Sequence, residues 1–128
     1  MNFVEIKTSE LIGSALDYAV AVCEDNVPTN IYGNLISEFI HKYSTDWESG
    51  GPIIEREITK LFRNVGGTWT AQIKREIPIP EQDRGTSLAT TYIDWCNVAG
   101  PTPLVAAMRC YVACKLGNVV KIPQELLE

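Results

Sequence analysis

Apolar and polar side chains alternate from Asn2 to Lys7. Val4 and Ile6 fall on one side and Phe3 and Glu5 on the other, the period-two pattern of a short strand. The period then lengthens. Ile12, Ala15, Leu16, Ala19, Val20 and Cys23 recur every three to four residues, an apolar stripe on a helix ending near Glu24. Thr8 or Ser9 can cap this helix, while Gly13 weakens its first turns and can delay its regular part to that residue. From Asp25 to Gly51 the pattern fades. Pro28, Asn30 and Gly33 mark loop, Leu35, Ile36, Phe39 and Ile40 suit about two turns of helix, and Tyr43 to Pro52 reads as an ordered loop.

Pro52 has the fixed φ of a first helical turn. Ile54, Ile58, Leu61, Phe62 and Val65 follow at helical spacing, which predicts a second helix closed by Gly66 and Gly67. Trp69, Ala71 and Ile73 alternate with Thr70, Gln72 and Lys74, as in a half-buried strand. Pro78 and Pro80 cannot donate to a ladder and interrupt it. Thr86 to Asp94, rich in Thr, Tyr and Ile, is expected to return as its antiparallel partner across a long tip. Gly100-Pro101-Thr102-Pro103 is the sharpest boundary. Thr102 caps and Pro103 opens a helix packed through Leu104, Val105, Met108, Tyr111, Val112 and Leu116, and Gly117 stops it just past Lys115. Ala106, Ala107 and Ala113 on that helix allow close approach of another element. Val119 to Ile122 suits a last strand, and Pro123 to Glu128 a tail of one helical turn.

This order predicts an α+β fold in a single domain spanning residues 1–128. Its expected form is a small, mostly antiparallel sheet packed with two to three amphipathic helices, α-β-α sandwich-like. The stripes of Ile12–Cys23 and Leu104–Leu116 are expected to clamp a shared β-layer. With 45% apolar residues the chain has enough material for a core without metal or disulfides.

Charge and cysteine usage narrow the partners. Sixteen acidic residues against eleven Lys and Arg leave a net charge of -5. Nucleic-acid affinity depends on phosphate neutralisation, so this balance disfavours, without forbidding, a nucleic-acid partner, and it disfavours an anionic membrane surface more strongly. Met1 to Glu5 show no basic leader before an apolar run, and no apolar stretch approaches the ~20 residues that cross a bilayer. A cytoplasmic location is expected, with Cys23, Cys96, Cys110 and Cys114 as free, mostly buried thiols.

Much chemistry is missing. His41 is the only histidine, which removes multi-histidine metal sites and most His-based catalysis. There is no phosphate-binding glycine loop ending in Lys-Ser or Lys-Thr and no dinucleotide fingerprint. Cys110 and Cys114 share a helix face, but structural zinc prefers tighter knuckles on loops. Glu55 and Glu57 flank Arg56 two apart and so do not face each other. No catalytic residue, metal or cofactor is therefore assigned. The candidate ligand-binding set is Asp46, Trp47, Gly50, Gly51, Glu55 and Arg109: a glycine-rich loop and helix start forming a small polar pocket roofed by an aromatic ring. In the bland alternative Asp46 caps its own loop, Trp47 plugs the core, and Arg109 snorkels or pairs with a carboxylate.

Several stretches resemble one family. They are Ser44-Thr45-Asp46-Trp47, Gly50-Gly51-Pro52-Ile53-Ile54-Glu55, Trp69 with Ala71, and Gly100-Pro101-Thr102-Pro103-Leu104 running on through Ala106-Ala107-Met108-Arg109 and Val112-Ala113 to Lys115-Leu116-Gly117. They are similar to the NinX-type proteins of lambdoid bacteriophages and prophages. The closing helix motif is the specific part, whereas Asn26–Lys42 and Pro78–Asp94 match poorly and look like variable insertions. The resemblance implies an α-β-α sandwich and expression inside a bacterial host, and it carries over no catalytic residue. The function expected is that of a non-enzymatic phage accessory protein that binds a host or phage protein in the host cytoplasm. The alternatives are a nucleic-acid-binding domain and a small-ligand domain built on the Asp46/Trp47 loop. A homo-oligomer through an exposed edge strand is a further expectation.

Overall fold

The computed structural model of the chain describes residues 2–127. Its elements are β1 (Phe3–Lys7), α1 (Gly13–Cys23), α2 (Trp47–Glu57), β2 (Lys60–Arg63), β3 (Trp69–Pro78), β4 (Thr91–Gly100), α3 (Pro103–Leu116) and β5 (Val119–Pro123), with single 3-10 turns at Thr8–Glu10, Ser37–Phe39, Glu81–Asp83 and Gln124–Leu127. The fold is α+β, and every strand pairing is antiparallel. The β-structure comes in two pieces: β1 pairs with β5, and β2, β3 and β4 form a sheet in that order.

Helix α3 is the centre. The Thr102 hydroxyl accepts from the Val105 amide (3.1 Å) and Pro103 occupies the first turn. Leu104 to Met108 and Cys110 to Val112 are all buried, so the helix is enclosed on every side rather than along one stripe. It packs on β3 and β4 and, on its other sides, against α1 and α2. Helix α1 rests on α3 and β5. The layer expected between α1 and α3 is thus replaced by direct helix contact, with the three-stranded sheet covering the far side of α3. Small residues permit the close approach. A Cβ on Gly100 would lie 2.6 Å from the Ala106 amide nitrogen, so the passage from β4 into α3 requires glycine.

Three elements differ from the sequence pattern. The residues expected as helix from Leu35 to Ile40 form only the 3-10 turn Ser37–Phe39. The return strand runs over Thr91–Gly100, not Thr86–Asp94, because its register with β3 pairs Trp69 with Gly100 and Pro78 with Thr91. The helix expected from Pro52 to Val65 is α2, which starts earlier, at Trp47, and ends earlier, at Glu57; Leu61 and Phe62 lie in β2. Asp46 caps α2 by accepting from the Glu48 amide (3.1 Å). Pro52 sits inside the helix, which lacks the bond Pro52 would donate to Glu48. Packing offsets this: Ile53 is fully buried, and Gly50 lets the helix backbone press on the Tyr43 carbonyl and the Leu104 side chain.

Two polar ties hold the helices. Tyr111 on α3 donates to Glu24 Oε2 (2.6 Å), which Arg56 on α2 also reaches (2.7 Å), while Arg56 Nε donates to Glu57 (2.7 Å). Burial alone would raise the Glu24 pKa, but the hydrogen bonds from Tyr111 and Arg56 outweigh it and hold the carboxyl below its usual range. Asp17 on α1 is buried and accepts from the Ser44 amide (2.8 Å), anchoring the loop before α2. Burial raises its pKa against the opposing influence of Ser44 and Lys42.

These ties act oppositely on acid stability. The folded pKa of Glu24 lies below its unfolded value, so its contribution is present at neutral pH and is lost as pH falls through the folded value. The folded pKa of Asp17 lies above its unfolded value, so its ionisation costs stability and that cost vanishes as pH falls. Glu24→Gln is expected to flatten the acid limb of the unfolding profile. Asp17→Asn, which keeps an oxygen for the Ser44 amide, is expected to steepen it. Urea midpoints between about pH 7 and pH 3 check both. On α2, Gly50→Ala is expected to destabilise by about 1–3 kcal/mol through overpacking. Gly51→Ala, where a Cβ meets only Trp47 at 4.0 Å, is expected to stabilise by about 0.5–1 kcal/mol. Equilibrium unfolding of the two variants distinguishes the sites.

Candidate functional site

The sheet has one covered and one open face. Along β3, Ala71 and Ile73 turn inward and are buried, and along β4 Cys96 and Val98 turn inward and are half-buried against the same core. The alternating positions point outward: Lys60 and Phe62 on β2, Thr70, Gln72, Lys74 and Glu76 on β3, Ile93, Trp95 and Asn97 on β4. The register places Lys60 beside Gln72, Gln72 beside Asn97, and Lys74 beside Trp95. Lys60 Nζ lies 5.2 Å from the centre of the Trp95 ring, an attraction that orients the indole on the open sheet. Phe62, Ile93 and Trp95 are 43%, 45% and 38% exposed, a large apolar content for a surface otherwise lined with lysine and amides. A sheet that presents aromatic side chains at fixed spacing can bind a partner across this face.

The sequence-derived set is only partly brought together. Asp46 lines an open cavity of about 460 Å³ with Asn26, His41, Tyr43, Glu48 and Ser49. Its carboxylate is occupied by the Glu48 amide and approached by the Ser49 hydroxyl at 3.4 Å. Trp47, Gly50, Gly51, Glu55 and Arg109 do not line that cavity. Trp47 is mostly exposed, Gly50 is buried under Tyr43 and Leu104, and Glu55 is exposed farther along α2. Arg109 lies elsewhere, on α3. Its Nε donates to the Leu11 carbonyl (2.7 Å) and its Nη1 to the Ala99 carbonyl (3.1 Å), so it joins two chain segments, and of the two bland alternatives, snorkelling or a carboxylate pair, its partners are carbonyls and not a carboxylate. Burial lowers its pKa.

All four cysteines are free thiols, and only Cys110 is fully buried. Burial pushes Cys23 up to about 11 and raises Cys96 and Cys110 as well, the opposite of the shift that activates a thiol. The Cys110 thiol donates to the Cys96 carbonyl (3.2 Å). Among the described residues no three of His, Cys, Asp and Glu cluster as metal ligands, and no helix is long and apolar enough to cross a membrane.

Sequence reasoning missed the open face because it placed Phe62 on a helix and ended the return strand at Asp94, one residue short of Trp95. The usable signal was the alternation of Ile93, Trp95 and Asn97 with Asp94, Cys96 and Val98.

Residues 7–115 match the family model described as Bacteriophage P22, NinX. A comparison with curated proteins found no match. The matched span runs from the end of β1 almost to the end of α3 and includes the helix motif from Gly100 as far as Lys115. The chain belongs to the phage P22 NinX family.

Proposed function

We propose that this chain is a non-enzymatic phage accessory protein that acts in the host cytoplasm and binds a host or phage protein through the open face of β2–β3–β4. The observation that carries this reading is Trp95, held under Lys60 on an exposed sheet beside Ile93 and Lys74. Protein interfaces concentrate their energy in aromatic anchors ringed by polar groups, and this face has that composition. Two polar groups of the sequence-derived ligand set already have structural partners, since Asp46 caps α2 and Arg109 binds two carbonyls. The net charge of -5 favours a partner with basic surroundings at the rim, while Lys60 and Lys74 accept an acidic group near the centre.

One observation favours a second reading. Exposed aromatics beside lysines on an antiparallel sheet also suit the stacking of single-stranded bases. The two lysines and the acidic net charge supply little phosphate neutralisation, so protein binding ranks first.

The test is affinity capture from host lysate with the wild-type chain and with Trp95→Ala. Capture of a discrete protein, weakened at least tenfold by Trp95→Ala while Asp46→Ala leaves it unchanged, is the expected result. Nothing above background, or capture indifferent to Trp95→Ala, removes the reading. Low-salt binding of single-stranded RNA or DNA that fades steeply with added salt and needs Trp95 would replace it with the second.

A further inference from the structure

The edge of β4 carries an inference independent of any partner on the open face. In an antiparallel ladder, residues alternate between directing both backbone polar groups at the neighbouring strand and directing both away from it. The register pairs Pro78 with Thr91, so Ile79 stands opposite Thr90, and the Ile79 amide donates to the Thr90 carbonyl (2.8 Å). Even-numbered positions of β4 therefore face β3. The odd positions, Thr91, Ile93, Trp95, Asn97 and Ala99, point their N–H and C=O outward. The Arg109 bond to the Ala99 carbonyl fits this parity and takes that acceptor out of use. Among the described residues no strand pairs with β4 on this side. Thr91 to Asn97 thus presents four outward amides and four outward carbonyls in a row.

Edges left open in this way are normally protected by brevity, proline or lysine. The opposite edge of the sheet follows that rule: β2 has four residues and includes Lys60 and Arg63. β4 does not. It has ten residues with no proline and no lysine.

We propose that β4 pairs with β4 of a second copy of this chain, antiparallel about a two-fold axis, to make one continuous six-stranded sheet. The register follows from the free stretch. Arg109 closes it beyond Asn97, so its midpoint is Asp94, and symmetric pairing about Asp94 sets Thr91 opposite Asn97 and Ile93 opposite Trp95 of the partner. The Ile93–Trp95 pairs recur twice on the open face, and aromatic–β-branched pairs of this kind stabilise antiparallel strands. The two Asp94 side chains meet at the axis, each already paired with Arg75 of its own chain. Next to Asn97, a cleft of about 360 Å³ lined by Lys7, Thr8 and Ser9 receives the partner's Thr91 end. A self-complementary strand argues for a second copy over an unrelated peptide, since one patch supplies both halves of each contact.

Two copies of net charge -5 repel, so the association is expected to strengthen with salt, opposite to nucleic-acid binding. Sedimentation velocity of the full chain alone, over rising concentration and at low and high salt, should show monomer passing to dimer with the dimer favoured by salt. Hydrogen exchange should slow at the amides of Ile93 and Trp95 as the dimer forms. Ile93→Lys, at an exposed position, should shift the monomer–dimer midpoint at least tenfold while circular dichroism and thermal midpoint confirm a folded chain. A monomer at all concentrations, a dimer whose Ile93 and Trp95 amides stay unprotected, or a dimer indifferent to Ile93→Lys overturns the proposal. A strand-like peptide that protects these amides on a monomeric chain also overturns it in favour of a foreign strand.

Discussion

The structure depends on the enclosure of α3. Most soluble helices bury one stripe and solvate the rest, but Leu104 to Met108 and Cys110 to Val112 lose essentially all contact with water. Each large side chain among them contributes about 1.5–3 kcal/mol relative to exposure. Such a helix can be enclosed only if neighbours come close on every side. Ala106, Ala107 and Ala113 provide that clearance, together with Gly100 at the turn from β4. Arg109, the one charged residue between Pro103 and Lys115, then has to find partners near the surface of the core. It takes the carbonyls of Leu11 and Ala99, so the charge that looked functional in sequence ties the α1 entrance to the end of the sheet.

This helix was the part of the fold most legible in sequence, because its cap, its first-turn proline and its stop glycine are local signals. Strands β1 and β3 were legible for a similar reason: each alternates cleanly over a half-buried face. The failures share a cause. In α2, Gly50, Gly51 and Pro52 oppose helix formation locally, and the helix forms because Gly50 fits against Tyr43 and Leu104 and Ile53 enters the core. Tertiary packing decides there, and its decisive partner, Leu104, lies far along the chain. Leu61 and Phe62 had helical spacing with Ile54 and Ile58, yet they face opposite sides of β2, and only pairing with β3 reveals that. The end of β4 was set by its register with β3, again a long-range fact.

The same distinction governs the candidate site. Polar residues in glycine-rich loops attract functional readings, but Asp46 satisfies orphan amides at a helix start, as short acidic side chains commonly do. Residue type alone could not separate that role from ligand binding. The open sheet face was hidden for the converse reason. Phe62, Ile93 and Trp95 look like core residues, and only knowledge of which sheet face α3 covers shows that they are left outside.

That exposure has an energetic meaning. The three-stranded sheet has one helix to cover it, and α1 and α2 are both engaged with α3 instead. The face opposite α3 therefore had no internal partner available. A sequence selected only for solubility would place polar residues there, and most positions comply: Thr70, Gln72, Lys74, Glu76 and Asn97. Trp95, Ile93 and Phe62 do not. An exposed indole forgoes a large share of its burial energy, and the contact with Lys60 returns only about 0.5–1 kcal/mol at a solvated site. The fold gains little from these three side chains where they stand, so what supports their presence is a surface that becomes buried when something else arrives.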